Sequence, residues 1–207
     1  MTVAPAQDGT AVRLLIVGPQ GSGKGTQGIR IAEAFGIPAI STGDVFRAAV
    51  KDGSQLGQQV SAVIEAGDLV PDELTSAVVR DRLSQEDAAG GFLLDGYPRN
   101  VSQVANLDDF LEGRDESLDA VIELSVPRDE SISRLSLRAA EQGRSDDTEE
   151  VIANRLAIYE RETAPILGVY RTRGVVDEID GVGSLDEITA RIIEALEARG
   201  LVRPAAA

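Results

Sequence analysis

Apolar residues follow two alternating rhythms along this chain: short unbroken runs, and longer stretches in which they recur every three or four positions. Val12-Arg13-Leu14-Leu15-Ile16-Val17 is the first run, ended by Gly18-Pro19, and it predicts a buried strand. Gly28, Ile31, Ala32 and Phe35 then share one helical face, which predicts a helix from about Gly23 to Phe35. A second strand is predicted near Ile37–Ser41. Helical spacing follows through Leu56, Val60, Val63 and Ile64, and Pro71-Asp72-Glu73 looks like a helix start. Gly91–Leu94 and Asp119–Leu124 read as strands, with a helix from roughly Asn100 to Leu111 between them. Ile152, Leu156, Tyr159 and Thr163 predict one long helix, Gly174–Ile179 a strand, and Leu185, Ile188, Ile192 and Leu196 a last helix. Ser184 and Glu187 form a capping box for that helix, and Gly200 stands where a terminating glycine belongs. The polar stretch Glu141–Glu150 predicts an exposed loop, in which Asp146 and Asp147 suit the start of the next helix. Strands alternating with helices imply an α/β fold with a parallel sheet of about five strands flanked by helices.

Composition narrows the chemistry. The 207 residues, 43% of them hydrophobic, suffice for one domain with a packed core. There are 35 acidic and 20 basic residues, a formal net charge of −15, with no His and no Cys. Imidazole bases, thiolate nucleophiles, disulfides and Cys- or His-ligated zinc are therefore excluded. Catalysis here has to use carboxylates, hydroxyls, cations and backbone dipoles. A chain this acidic is repelled by nucleic acid and anionic membranes, so neither is an expected partner. No apolar run is long enough to span a bilayer, and Met1–Ala11 lacks the features of a secretory signal. A cytoplasmic location is the expectation, with which the absence of cysteine is compatible.

Gly18-Pro19-Gln20-Gly21-Ser22-Gly23-Lys24-Gly25-Thr26 follows the phosphate-loop pattern GxxxxGK, with Gly25 at the usual Ser/Thr position and Thr26 one step later. Glycines let successive N–H groups converge on phosphate oxygens, the next helix adds its N-terminal dipole, and Lys24 can bridge the terminal phosphates. A nucleoside triphosphate is the first expected ligand.

Three further segments carry a family resemblance. Gly21–Gln27, Ser41-Thr42-Gly43-Asp44-Val45-Phe46-Arg47, Asp95-Gly96-Tyr97-Pro98-Arg99 and Gly143-Arg144-Ser145-Asp146-Asp147, in that order and spacing, resemble adenylate kinase, with similarity from about Val12 to Arg199. The resemblance implies a single P-loop nucleoside monophosphate kinase domain over 1–207, an AMP-binding insert over 41–70 and a short lid over 137–148. It implies transfer of the γ-phosphoryl of Mg·ATP to AMP, giving two ADP, by a monomer. Such transfer depends on positioning and on neutralising charge, which suits a chain without His or Cys.

By resemblance, Gly21, Ser22, Gly23, Lys24, Gly25 and Thr26 hold the ATP phosphates, while Arg134 and Gly183 lie against the ATP base. Arg47 and Arg99 grip the AMP phosphate. Arg138, Arg144 and Arg155 close over the transferring group, with Arg138 also on the ATP side and Arg144 and Arg155 also on the AMP side. Thr42, Asp68, Leu69, Val70, Gly96, Tyr97, Pro98 and Gln103 complete the AMP site. Lys24, Arg99, Arg138, Arg144 and Arg155 are the implied catalytic set. Arginine's planar fork matches phosphate oxygens, so a ring of arginines fits this task. Asp95, with Asp44 and Thr26 nearby, is implied to support Mg²⁺ largely through water; the plainer alternative is that Asp95 hydrogen-bonds the turn into Gly96. Thr42 and Gln103 are the adenylate-type pair, where the similar UMP/CMP kinases tend to have Ala and Asn. A Gln amide donates and accepts together, matching the N6-amino and N1 edge of adenine. The alternatives are a UMP/CMP kinase of the same fold, or a nucleotide-sensing module that has lost transfer. Gln20 and Pro71 depart from the Pro and Thr common in relatives.

Overall fold

The computed structural model describes residues 11–142 and 148–204, the side chains of 138–142 excepted. Among these residues five strands, β1 (Val12–Val17), β2 (Ala39–Ser41), β3 (Gly91–Asp95), β4 (Ala120–Ser125) and β5 (Val176–Asp180), form one sheet in the order β2-β3-β1-β4-β5. Every pairing is parallel, as the alternation of strands and helices implies.

Side-chain parity along the strands builds two cores. Leu14 and Ile16 share one face with Leu93, Ile122 and Leu124, and are covered by Ile31 and Phe35 of α1 (Lys24–Phe35) and Ile188, Ile192 and Leu196 of α9 (Leu185–Ala198). Leu15 and Val17 point the other way with Phe92, Leu94 and Val121. They meet Val79 and Leu83 of α4 (Asp72–Leu83), Val104, Leu107 and Leu111 of α5 (Val101–Glu112), and Ile166, Leu167 and Tyr170 of α8 (Ala164–Thr172). A buried Leu or Ile contributes about 1.5–3 kcal/mol, so both faces are tightly tied to the sheet. Between β2 and β3, α2 (Thr42–Lys51) and α3 (Gln55–Ala66) form a helical pair with a small core of their own, Phe46, Val60 and Val70, against Leu74 and Val78 of α4.

The predicted long helix through Ile152 and Thr163 is a continuous path but not a single α-helix. α7 (Glu149–Ile158) passes through a π-helical turn, Tyr159–Thr163, into α8. Pro165 explains the change: it has no N–H to give, and its ring crowds the carbonyl four residues earlier, so the path widens. The polar stretch Glu141–Glu150 also differs at its ends. α6 (Arg128–Gln142) runs through Leu137 to Gln142, so residues 137–142 of the expected lid loop are helical. α7 is capped by Thr148, whose hydroxyl accepts from Val151 N, rather than by Asp146 or Asp147, which lie outside the described residues. The capping box of α9 is present in both directions, Ser184 N donating to Glu187 Oε2 at 2.8 Å and Glu187 N to Ser184 Oγ at 3.3 Å.

β3 begins where Gly91 sits opposite Val12 of β1. Its φ is +122°, and a β-carbon there would lie 2.2 Å from Val12 O and 2.6 Å from Val12 N. Backbone cannot yield as a flexible side chain would. Gly91→Ala is expected to destabilise the fold by roughly 2 kcal/mol or more, from strain and overpacking combined, as measured by urea unfolding.

Candidate active site

A parallel sheet puts the C-terminal ends of all its strands along one edge, and neighbouring β1 and β3 there bring residues 18–23 beside Asp95. Gly21 has φ +83°, and a β-carbon on it would lie 2.4 Å from Ser131 O, so the loop is seated directly on α6. α1 starts at Gly23 with φ 96° and no side-chain cap, whereas Ser41, Ser54, Asn100, Thr148 and Ser184 cap the helices that follow them. Its first turn also carries no acidic residue. The first turn of α1 therefore presents its N–H groups and dipole without a side-chain cap or an acidic residue of its own. Lys24 Nζ reaches back over the loop, donating to Gly18 O at 2.6 Å and Pro19 O at 2.7 Å.

Cations converge across the cleft. Arg99 Nε donates to Gly96 O at 2.8 Å, and Thr163 of the π turn donates its hydroxyl hydrogen to Arg99 O at 2.9 Å. Arg47 Nη2 meets Asp44 Oδ1 at 2.5 Å, one turn back on α2. Burial lowers the pKa of the Arg99 guanidinium; Asp95 opposes that effect, while Arg155 and Arg47 add to it. Burial also raises the Asp95 carboxyl above its ordinary value against the pull of Lys24, Arg99 and Arg47, with Asp44 adding to the rise. Two carboxylates thus stand among four cations. Like charges gathered at such cost mark a site that an anion would stabilise.

The cleft around this cluster measures about 1140 Å³. At one end, Arg134 of α6 spans the phosphate loop and the turn after β5, donating to Glu130 Oε1 at 2.7 Å, Gly181 O at 3.1 Å and Ser22 O at 3.4 Å. Gly183 lies beyond that turn on the cleft wall. At the other end Gln103, only 1% exposed, accepts from Arg99 N at 2.8 Å through Oε1 and donates from Nε2 to Asp72 Oδ1 at 2.7 Å. A phosphate-loop pattern, several arginines and a buried amide thus line one cleft.

Comparison with known proteins agrees. Residues 16–175 match the family model described as adenylate kinase. The chain belongs to the adenylate kinase family. Among curated relatives, the adenylate kinase of Kocuria rhizophila is 57% identical over 185 residues, 89% of this chain and 98% of its own length. That of Clavibacter michiganensis subsp. michiganensis is 57% identical over 192 residues, 93% and 96% of the two chains. That of Leifsonia xyli subsp. xyli is 55% identical over 189 residues, 91% and 95%.

Most residues expected at the site of a family member line the cleft, Gly21, Ser22, Gly23, Lys24, Gly25, Thr26, Thr42, Asp44, Arg47, Asp68, Leu69, Val70, Asp95, Gly96, Pro98, Arg99, Gln103, Arg134, Arg155 and Gly183 among them. Tyr97 is an exception. Its side chain is 3% exposed and packs in the core with Phe92 and Leu94, its hydroxyl 3.0 Å from Ser76 Oγ, because Gly96, with φ +83°, ends the alternation of β3 and turns the chain just before it. Thr42 does not offer a free hydroxyl hydrogen either, since it donates to Gly96 O at 2.9 Å. Arg144 lies outside the described residues, as does the side chain of Arg138. Of the two departures from relatives, Gln20 Oε1 is buried with no hydrogen-bond partner among the described residues, and Pro71 starts α4 without a side-chain cap, the first turn carrying Asp72 and Glu73 instead. Two supporting residues had no motif to announce them. Thr163 reads as one more core position of a helix, and Asp72 as one more helix-start acid.

The seat of Gly21 on α6 can be tested directly. Gly21→Ala forces a β-carbon against Ser131 O and a strained φ, so the loop must lift. ATP affinity measured by titration calorimetry is expected to fall by roughly tenfold or more, with little change in global unfolding.

Proposed function

We propose that this member of the adenylate kinase family transfers the γ-phosphoryl group of Mg·ATP reversibly to AMP, giving two ADP. The observation that carries the reading is the uncapped start of α1 under Lys24, set against Arg47, Arg99 and Arg155 across one cleft. Phosphoryl transfer asks the protein to hold two nucleotides in line and to neutralise the charge spread over the transferring group. Lys24 and the backbone of Gly21–Thr26 hold the ATP phosphates, with Arg134 and Gly183 at the base. Arg47 and Arg99 hold the AMP phosphate, and Arg155 reaches the group between them, joined on motif grounds by Arg138 and Arg144. The insert over 41–70 contributes Thr42, Asp68, Leu69 and Val70 to the AMP side, and Gln103 faces the acceptor base. The segment 137–148 acts as a short lid.

The donor set fits a magnesium ion carried in by ATP. Among the described residues no group of three or more His, Cys, Asp or Glu could hold a metal, while Asp95 and Asp44 stand beside Lys24. Magnesium keeps several waters and commonly takes one or two carboxylates plus phosphate oxygens, so these two are the residues that would hold it. When bound, it neutralises charge on the β- and γ-phosphate oxygens. Among the described residues no helix is long and apolar enough to cross a membrane. With a net charge of −15, the partners are ATP, AMP and ADP rather than nucleic acid or a membrane surface, and the enzyme acts as a cytoplasmic monomer.

Steady-state ADP formation tests the assignment. Arg99→Ala and Lys24→Met are each expected to lower turnover with ATP and AMP by roughly a hundredfold or more, the effect of removing a group aimed at transition-state charge. Near-normal rates would refute their roles. AMP is expected to outpace UMP and CMP as acceptor, and faster turnover with either pyrimidine would reassign the substrate.

A further inference from the structure

A carboxamide has a donor end and an acceptor end of nearly the same shape, so a Gln that reads a base does so reliably only if it is held one way round. Gln103 is held at both ends by partners of a single polarity. The Arg99 N–H can only donate, and it donates to Gln103 Oε1 at 2.8 Å. The Asp72 carboxylate accepts, and it takes a hydrogen from Gln103 Nε2 at 2.7 Å. Asp72 is in turn fixed by Asn100 Nδ2, 2.9 Å from Oδ1 and 3.2 Å from Oδ2, and Asn100 Oδ1 accepts from Gln103 N at 2.9 Å. Capping of α5 accounts for the Asn100 contact to Gln103 N, and the Oε1 contact secures the chain entering the helix. Neither needs a carboxylate at Nε2.

We propose that Asp72 is a specificity-determining positioning residue: by locking the Gln103 amide in one orientation, it makes the acceptor site select a 6-amino purine over a 6-oxo purine. After Asp72 and Arg99 are served, Gln103 keeps one N–H and one carbonyl lone pair. Adenine presents an N6–H donor and an N1 acceptor, which pair with that O and that N–H. Hypoxanthine and guanine present an O6 acceptor and an N1–H donor, which would need the amide reversed. Reversal sets the Gln103 oxygen against the Asp72 carboxylate and its NH₂ against the Arg99 N–H. A buried site that leaves two such groups opposed rejects the wrong base strongly.

The proposal rests on Gln103 facing the acceptor base, so the test separates the two ideas. kcat and KM are measured with AMP and with IMP for the unaltered enzyme, Asp72→Asn, Gln103→Ala and the double variant. An Asn at 72 can donate or accept, which removes one of the two restraints against the flip and leaves only the Arg99 N–H opposing it. Asp72→Asn is expected to lower the AMP:IMP ratio of kcat/KM by roughly tenfold, the worth of one hydrogen bond, through the KM of the acceptor and without moving the KM of ATP. The double variant should behave as Gln103→Ala alone, because Asp72 acts only through the amide. If Gln103→Ala shifts the ratio and Asp72→Asn does not, the role of Asp72 is overturned. That role is overturned as well if Asp72→Asn slows both acceptors equally. If Gln103→Ala leaves the ratio unchanged, the base-reading role itself falls, and the proposal with it. Asp72→Ala, which removes the partner at Nε2 and leaves the Arg99 N–H in place, serves as the second variant should the Asn form fold poorly, and the same fall in ratio is expected.

Discussion

Crowded positive charge is the constraint on which the rest of this structure depends. Lys24, Arg47, Arg99 and Arg155 are close enough to shift the ionisation of their neighbours, with Asp95 and Asp44 as the carboxylates among them. Unit charges 4 Å apart repel by about 4 kcal/mol at the effective dielectric of a protein surface. Such a cluster persists only if the scaffold holds it firmly. The remainder of the chain is strongly acidic, at −15 overall, so the cleft is a cationic patch inside a negative envelope. That contrast confines anion binding to one place and focuses it there.

The scaffold meets the demand by fixing backbone before side chain. Parallel pairing of β1 with β3 sets the phosphate loop beside Asp95, and the two apolar cores keep that pairing in register. Arg99 is held through its main chain at both ends, N–H to Gln103 and carbonyl to Thr163, and its guanidinium is tied to Gly96 O. α7 links the helical pair α2–α3 to the cleft. Its Asn154 donates to Ala66 O and Asp68 Oδ1 at 3.0 Å each, while Arg155 on the same helix lines the cleft. The end of the segment 41–70 and the helix carrying Arg155 are therefore joined through the Asn154 side chain.

How far the fold and site are legible in the sequence depends on the range of the physics involved. Strand runs such as Val12–Val17 and helical faces such as Ile188-Ile192-Leu196 are local patterns, and they reappear as strands and helices on the two faces of the sheet. The phosphate loop is equally plain, because its glycines answer to backbone geometry within a few residues. What escapes is of two kinds, one local and one set by contacts distant in sequence. The π turn at Tyr159–Thr163 depends on Pro165 within a pattern that otherwise reads as continuous helix. The bonds from Thr163 to Arg99 and from Gln103 to Asp72 join residues 64 and 31 positions apart. Tyr97 shows the opposite effect: it stands inside a site motif, yet the turn at Gly96 after β3 sends its ring into the core.

The choice of arginine over lysine follows from the same crowding. Burial and cationic neighbours both push the Arg99 guanidinium toward losing its proton. An arginine begins so high that it keeps its charge at neutral pH, whereas a lysine can lose several units when buried and would risk standing neutral in such a place. Lys24 is held differently, its ammonium donating to two loop carbonyls, Gly18 O and Pro19 O. Its compact, freely rotating head can meet several acceptors in turn, while the planar fork of Arg99 is fixed by Gly96 O. One lysine over the loop and arginines elsewhere is thus the division of labour that the local environments require.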